Sequence, residues 1–267
     1  MDQQTARLSK RQHTNVLELI IDNPAARNAL HPDMYREGAE ALEALRNTST
    51  IGAVVLRGQG DTFCAGGNLN RLLLNRALDP SVQAASIEAL HRWVKAIRRA
   101  PVPVIAAVEG PAAGAGFSLV LACDLVVASR ESKFVMAYAK VGLTPDGGAV
   151  RALLQRLPPA LVFELLADAS PISAERLHSL GCVNRLSPPG EAAAVALQWA
   201  ERLANGPRTV QARLKKAVND APQTSLSQAL DQERDHFVQS LHEADAREGI
   251  EAFLAKRQAR FGGTIPS

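Results

Sequence analysis

The apolar positions in the first half of the chain switch between two periods. Residues 16–21 form a short apolar run closed by Asn23-Pro24 and predict a strand, whereas Met34, Gly38, Ala41, Leu42 and Leu45 recur at helical spacing and predict a helix over 33–46. A second buried strand follows over 51–56. After the loop GQGDTFCAGGN the pattern gives a helix over 85–99, a strand over 102–108, a glycine-rich turn, an apolar helix over 115–122 and a strand over 125–128. Strands alternating with helices in this way imply an α/β fold with a mainly parallel sheet and crossover helices. From about residue 149 the pattern is helical, over 159–167, 173–179, 190–204, 207–219, 224–241 and 244–258, apart from a short apolar piece at 182–186. The expected division is a core over 1–195 and a C-terminal helical region over 196–267.

Composition changes this picture little. A chain of 267 residues with 46% apolar and 21% charged positions can bury a real core. The opening MDQQTARLSKRQHT lacks an apolar segment of the kind that targets secretion, and no window is long and apolar enough to span a membrane, so a soluble, cytoplasmic protein is expected. Cys64, Cys123 and Cys182 form no C-x-x-C pair and are odd in number, which argues against both a disulfide framework and a zinc site. The net charge is +3, and the clearest basic cluster, Lys95, Arg98 and Arg99, reads first as a solvated helix face, so nucleic acid is not the expected partner.

Several familiar motifs begin here and break. Gly114-Ala-Gly116 starts a dinucleotide fingerprint, but Leu119 stands where the third glycine belongs. Gly116-Phe-Ser118-Leu-Val120 approaches a serine-hydrolase elbow, yet Val120 replaces a glycine and Ser118 sits inside a predicted helix. Glu233 and His236 form half a metal motif with no second copy, and His242 lies off that helix face, so no metal is expected. Two small-residue segments are more informative: FCAGGN at 63–68 and GPAAGAG at 110–116. Small residues let a ligand approach the main chain, and a helix N-terminus offers unpaired N–H groups, so the pair suggests an oxyanion hole built from backbone donors. A third segment, MAYAKVGLTPDGGAV at 136–150, places Asp146 between Pro145 and two glycines, which is also ordinary turn chemistry.

From NPAARNAL (23–30) through FCAGGNL, PVIAAVEGPAAGAG, ACDLVVAS, SKFVMAYAKVGLTPDGG and ISAERLHSLGCV to EGIEAFLAKRQARF, the chain resembles the crotonase, or enoyl-CoA hydratase/isomerase, superfamily. The resemblance implies a crotonase-like spiral of repeated ββα units with a C-terminal helical region that drives assembly into homotrimers, often paired as hexamers. It implies an acyl-CoA thioester as substrate, with CoA part of that substrate and no separate cofactor. Carried over by motif, the oxyanion donors are the N–H groups of Gly67 and Ala115. Arg27, Ala29, Ala65, Gly66, Asn68 and Leu69 match segments that line the CoA channel, with Tyr138 and Leu143 also on the ligand side. Phe253 and Lys256 resemble C-terminal residues that close over the nucleotide end.

The departures from the family pattern bear on the reaction. The two glutamates that hold water in hydratases align with Ser118 and Tyr138, neither of which is a carboxylate. Asp146 matches the aspartate of members related to the phenylacetate-pathway ring-isomerising enzyme, and a single acid suits moving a double bond between carbons. An enoyl-CoA isomerase is therefore expected, with three alternatives open. One is aroyl-CoA dehalogenase-like chemistry in which Asp146 is the nucleophile and His91 the base. The others are an enoyl-CoA hydratase and a non-catalytic homologue that binds CoA esters or RNA.

Overall fold

In the computed structural model, residues 6–48 and 50–262 are described; the ends of the expected core and helical region, 1–5 and 263–267, lie outside them. The chain opens with β1 (Arg7–His13), antiparallel to β2 (Val16–Asp22). The sequence pattern does not predict β1, because RLSKRQH is almost wholly polar. It forms as the edge of the sheet, where backbone pairing to an apolar neighbour replaces burial. Next come α1 (Pro32–Glu43), β3 (Ala53–Gly58), α2 (Leu69–Asn75) and α3 (Pro80–Arg99). Helix α3 starts five residues before the predicted bound: Asp79 accepts the Ser81 N–H and Pro80 follows the cap, a start signal that outweighs weak periodicity. Helices α1 and α3 cross at Gly38, where a Cβ would meet the indole of Trp93 at 2.2 Å.

The central section holds β4 (Val104–Val108), β5 (Pro111–Ala113), α4 (Ala115–Ala122), β6 (Leu125–Ser129) and β7 (Lys133–Val135). It is followed by α5 (Ala149–Leu154), α6 (Pro159–Ala167), β8 (Ile172–Ser173), α7 (Ala174–Ser179) and β9 (Arg185–Ser187). Six strands form one sheet in the order β1-β2-β3-β4-β6-β9, parallel except for β1; β5, β7 and β8 form a second, smaller sheet. Short β5 lies inside the segment predicted as a glycine-rich turn. Three residues are too few for a hydrophobic period to register.

Four helices complete the chain: α8 (Ala192–Ala204), α9 (Arg208–Asp220), α10 (Leu226–Leu241) and α11 (Ala244–Leu254). Residue 195 lies inside α8, whose Ala192, Ala196 and Ala200 pack on Val16, Ala53, Val55, Ile105 and Val127 of the sheet. The opposite face of the sheet carries the larger core, with Trp93, Phe63, Phe117 and Phe134 fully buried. Helix α9 has no fully buried residue and is held instead by polar contacts. Lys215 Nζ donates to the carbonyls of Ile97 (2.8 Å) and Val102 (3.1 Å) and pairs with Asp124 Oδ2 at 2.7 Å. Asp124 in turn accepts from the Val104 N–H. Burial pushes the Asp124 carboxyl up and the Lys215 amine down, so each charge depends on the other.

Lys215→Met would leave Asp124 buried without its counter-charge and should cost about 3–5 kcal/mol in urea denaturation. Adding Asp124→Asn, which keeps an acceptor for Val104, should recover a substantial part. Equal loss in the single and double variants would contradict this coupling.

Candidate active site

The two small-residue segments meet at their backbones. Cys64 and Ala112 form a parallel bridge in which the Cys64 N–H donates to Pro111 O (3.1 Å) and the Ala113 N–H to Cys64 O (2.8 Å). A second bridge joins Leu30 to Gly67, with the Leu30 N–H on Gly66 O at 2.8 Å. At Gly66, φ is +93°, and a Cβ there would stand 2.8 Å from Ala113 O and 3.5 Å from Ala115 N. The site thus needs glycine for both its conformation and its close approach. Neither the Gly67 N–H nor the Ala115 N–H has a protein acceptor among the described hydrogen bonds, and Ala115 is the first residue of α4, where helical N–H groups lack internal partners. Burial pushes the Cys64 thiol up to about 12, so it remains a neutral packing group beneath these loops.

A cavity of about 430 Å³ opens in front of the two loops. Asp146 is the only carboxylate among the described residues that line it. The turn around it has the conformation its sequence suggests, with φ +62° at Gly147 and +76° at Gly148. Tyr138 donates its hydroxyl to Asp146 Oδ1 at 2.6 Å. Ser118 Oγ lies 3.4 Å from that hydroxyl, and the backbone carbonyls of Asp146 (3.2 Å) and Gly114 (3.3 Å) share its single proton as acceptors. Burial first, then the adjacent Asp146 carboxylate, push the Tyr138 phenol far up, which keeps it protonated and a donor. Tyr138, expected on the ligand side, thus holds the Asp146 carboxylate, and Ser118, expected only as a non-carboxylate, contacts the Asp146 backbone.

Residues 11–264 match the model of the family described as Enoyl-CoA hydratase/isomerase. The chain belongs to that family. It is 37% identical over 253 residues to a 1,2-epoxyphenylacetyl-CoA isomerase of Escherichia coli (strain K12), covering 93% of this chain and 95% of that one. It is 33% identical to an enoyl-CoA hydratase, EchA19, of Mycobacterium tuberculosis (strain ATCC 25618 / H37Rv), over 96% of each. A crystal structure described as an enoyl-CoA hydratase from Polaromonas sp. JS666 superposes with a TM-score of 0.94 at 50% identity, covering 96% of this chain and 99% of that one. The expected crotonase-like α/β fold with a C-terminal helical region is therefore the fold of this family member. Its relatives include both isomerases and hydratases.

Of the expected site residues in this family enzyme, Ala65, Gly66, Gly67, Asn68, Leu69, Ala115, Tyr138, Leu143 and Asp146 all line the one cavity. Asn68 also caps α2 by accepting the Arg71 N–H at 3.1 Å. Arg27 and Ala29 stand behind it: Arg27, at φ +50°, gives its carbonyl to the Ala65 N–H, and Ala29 is buried. Phe253 and Lys256 lie at the end of α11, outside the cavity lining, with Phe253 83% exposed. His91 does line the cavity, with Nδ1 3.4 Å from Glu88 Oε2. Sequence reasoning missed Tyr35 and Arg71. The chain has two tyrosines, Tyr35 and Tyr138, and both face this cavity. Tyr35 falls on the buried stripe of α1 beside Met34 and Gly38, a phase that could have marked it.

Gly66→Ala should destabilise the fold by about 1–3 kcal/mol, because the methyl group must displace the Ala113 carbonyl at a positive φ. Gly67→Ala, whose Cβ meets only Leu72 Cδ1 at 3.9 Å, should be nearly neutral. Thermal melts of the two variants check the contrast, and equal melting temperatures would contradict it.

Proposed function

We propose that this family enzyme is an acyl-CoA isomerase in which Asp146 moves a proton between two carbons of the acyl group. The observation that carries the reading is that the described cavity lining holds one carboxylate, Asp146, with the Tyr138 hydroxyl on it and Ser118 buried behind, where a hydratase would need two acids. In the proposed reaction the thioester oxygen lies against the Gly67 and Ala115 N–H groups. Asp146 takes a proton from C2 of a β,γ-enoyl thioester, and the electron pair spreads over the dienolate. Protonated Asp146, whose proton can exchange with solvent, delivers a proton to C4, giving the α,β-enoyl product with no water consumed. Each backbone donor aimed at the developing oxyanion contributes about 3 kcal/mol in such sites. Tyr138 holds one carboxylate oxygen and leaves the other for the proton.

Two further expectations belong to this reading. The E. coli relative's name supports a ring isomerisation as well as a chain one, since both pass through charge held at the thioester oxygen. The exposed apolar side chains of the C-terminal helices, including Leu214, Val218, Phe237, Leu241 and Phe253, support a homotrimer or hexamer as the working assembly. Among the described residues no helix is long and apolar enough to cross a membrane.

A panel of β,γ-enoyl-, α,β-enoyl- and aryl-CoA thioesters tests the reading, scored for conjugation, hydration and halide release. Conjugation should dominate, and Asp146→Asn should lower kcat about a hundredfold or more while acyl-CoA affinity changes little. Rapid formation of 3-hydroxyacyl-CoA, or halide release that requires His91, would replace the isomerase by a hydratase or a dehalogenase.

A further inference from the structure

Besides Asp146, the cavity wall carries one cation that the reaction above does not use. Arg71 projects from α2 and is the only lysine or arginine among the described lining residues. Its Nη1 lies 3.4 Å from His31 Nε2. His31 Nδ1 in turn lies 3.3 Å from Asp33 N, as the cap of α1, and 3.1 Å from Asp33 Oδ2, so the imidazole beside the guanidinium is tied to the start of α1. Arg71 Nε is buried with no hydrogen-bond partner, and no described carboxylate pairs with the side chain. Leaving such a donor buried and unpaired is costly unless a ligand completes it.

Tyr35 faces the same part of the cavity from α1. Its hydroxyl makes no described hydrogen bond, and it feels both neighbours. Burial and the Asp146 carboxylate push the phenol far up, whereas the Arg71 guanidinium pulls it down. It is therefore a neutral donor on the cavity wall. The cavity wall thus offers a guanidinium edge and a phenol, two kinds of donor with no described hydrogen bond or ion pair to a carboxylate. Around them the lining is mostly apolar, as an acyl chain requires.

We propose that Arg71 and Tyr35 form an anion subsite for a carboxylate at the far end of the acyl group, so that the preferred substrates are CoA thioesters of dicarboxylic acids. The planar guanidinium edge suits a carboxylate with two parallel hydrogen bonds, and the Tyr35 hydroxyl adds a third donor. Repulsion from Asp146 sets the geometry: the carboxylate must sit on the Arg71 side, which extends the acyl group away from the base. The inference rests on the acyl group occupying this cavity, as in the reading above.

Unreactive saturated thioesters test it by binding alone, so the outcome does not depend on whether the enzyme isomerises anything. Calorimetry would compare succinyl-, adipyl- and suberyl-CoA with butyryl-, hexanoyl- and octanoyl-CoA, and with free CoA. At least one diacid should bind about tenfold or more tightly than its uncharged counterpart, a difference of about 1.4 kcal/mol. Arg71→Met should bring that ratio close to one, and Tyr35→Phe should lower it partway. Equal affinity of the wild-type protein for each charged and uncharged pair would overturn the proposal. So would an Arg71→Met variant that loses affinity equally for free CoA and for every thioester, since the guanidinium would then serve the CoA phosphates. Failure of the isomerase reading would appear separately, as absent conjugation of enoyl thioesters with the diacid preference intact.

Discussion

The bridge between Cys64 and Ala112 is the constraint on which the site depends. It forces the loop after β3 and the turn before α4 to run side by side, and only small residues permit that approach. Gly66 fits no side chain against the Ala113 carbonyl, and Gly116 would meet Cys64 at 2.7 Å if it carried one. The parallel sheet behind them positions both segments at the ends of neighbouring strands, β3 and β4, where an α/β fold leaves its crevice. Two N–H groups without protein acceptors are the result, held by rigid backbone rather than by flexible side chains. A preorganised pair of this kind stabilises charge on a carbonyl oxygen without reorganising during reaction.

If the two N–H groups hold the thioester oxygen, as proposed, the chemistry is decided by what faces them. A site with two carboxylates can hold and split water. Here the hydroxyls of Ser118 and Tyr138 are engaged with Asp146, one through its carboxylate and the other through its backbone and the phenol. Asp146 is left as the only carboxylate among the described lining residues, with Tyr138 holding it. Under the proposed reading this favours returning a proton over adding water, and Arg71 and Tyr35 then select what the acyl group carries. Among the C-terminal helices, α8 packs an apolar face on the sheet, whereas α9 is joined through polar contacts that include the buried Lys215–Asp124 pair.

Much of the fold was legible in the sequence because the parallel strands are apolar and α4 is buried on all sides. What escaped the reading was either too polar or too short: β1 is a polar edge strand, and β5, β7 and β8 have two or three residues each. The candidate site divides in the same way. Gly67, Ala115 and Asp146 sit in contiguous motifs whose small residues and turn chemistry announce them. Tyr35 and Arg71 come from two helices and reach one cavity only in the folded chain, and the hydrogen bond from Tyr138 to Asp146 depends on side-chain direction that spacing does not carry. Arg27 and Ala29 show the converse, since their motif is contiguous with the expected site but neither residue lines the cavity, and Arg27 meets the first loop only through its carbonyl on the Ala65 N–H.

Deuterium incorporation tests the central claim most directly, because it follows the proton that Asp146 is proposed to carry. A β,γ-enoyl-CoA thioester would be incubated with the enzyme in deuterium oxide and its acyl carbons followed by NMR. The account predicts a conjugated product with isotopic exchange confined to C2 and C4, no hydroxyl at C3, and loss of both exchange and conjugation in Asp146→Asn. Exchange that persists in Asp146→Asn, or a product hydroxylated at C3, would contradict it.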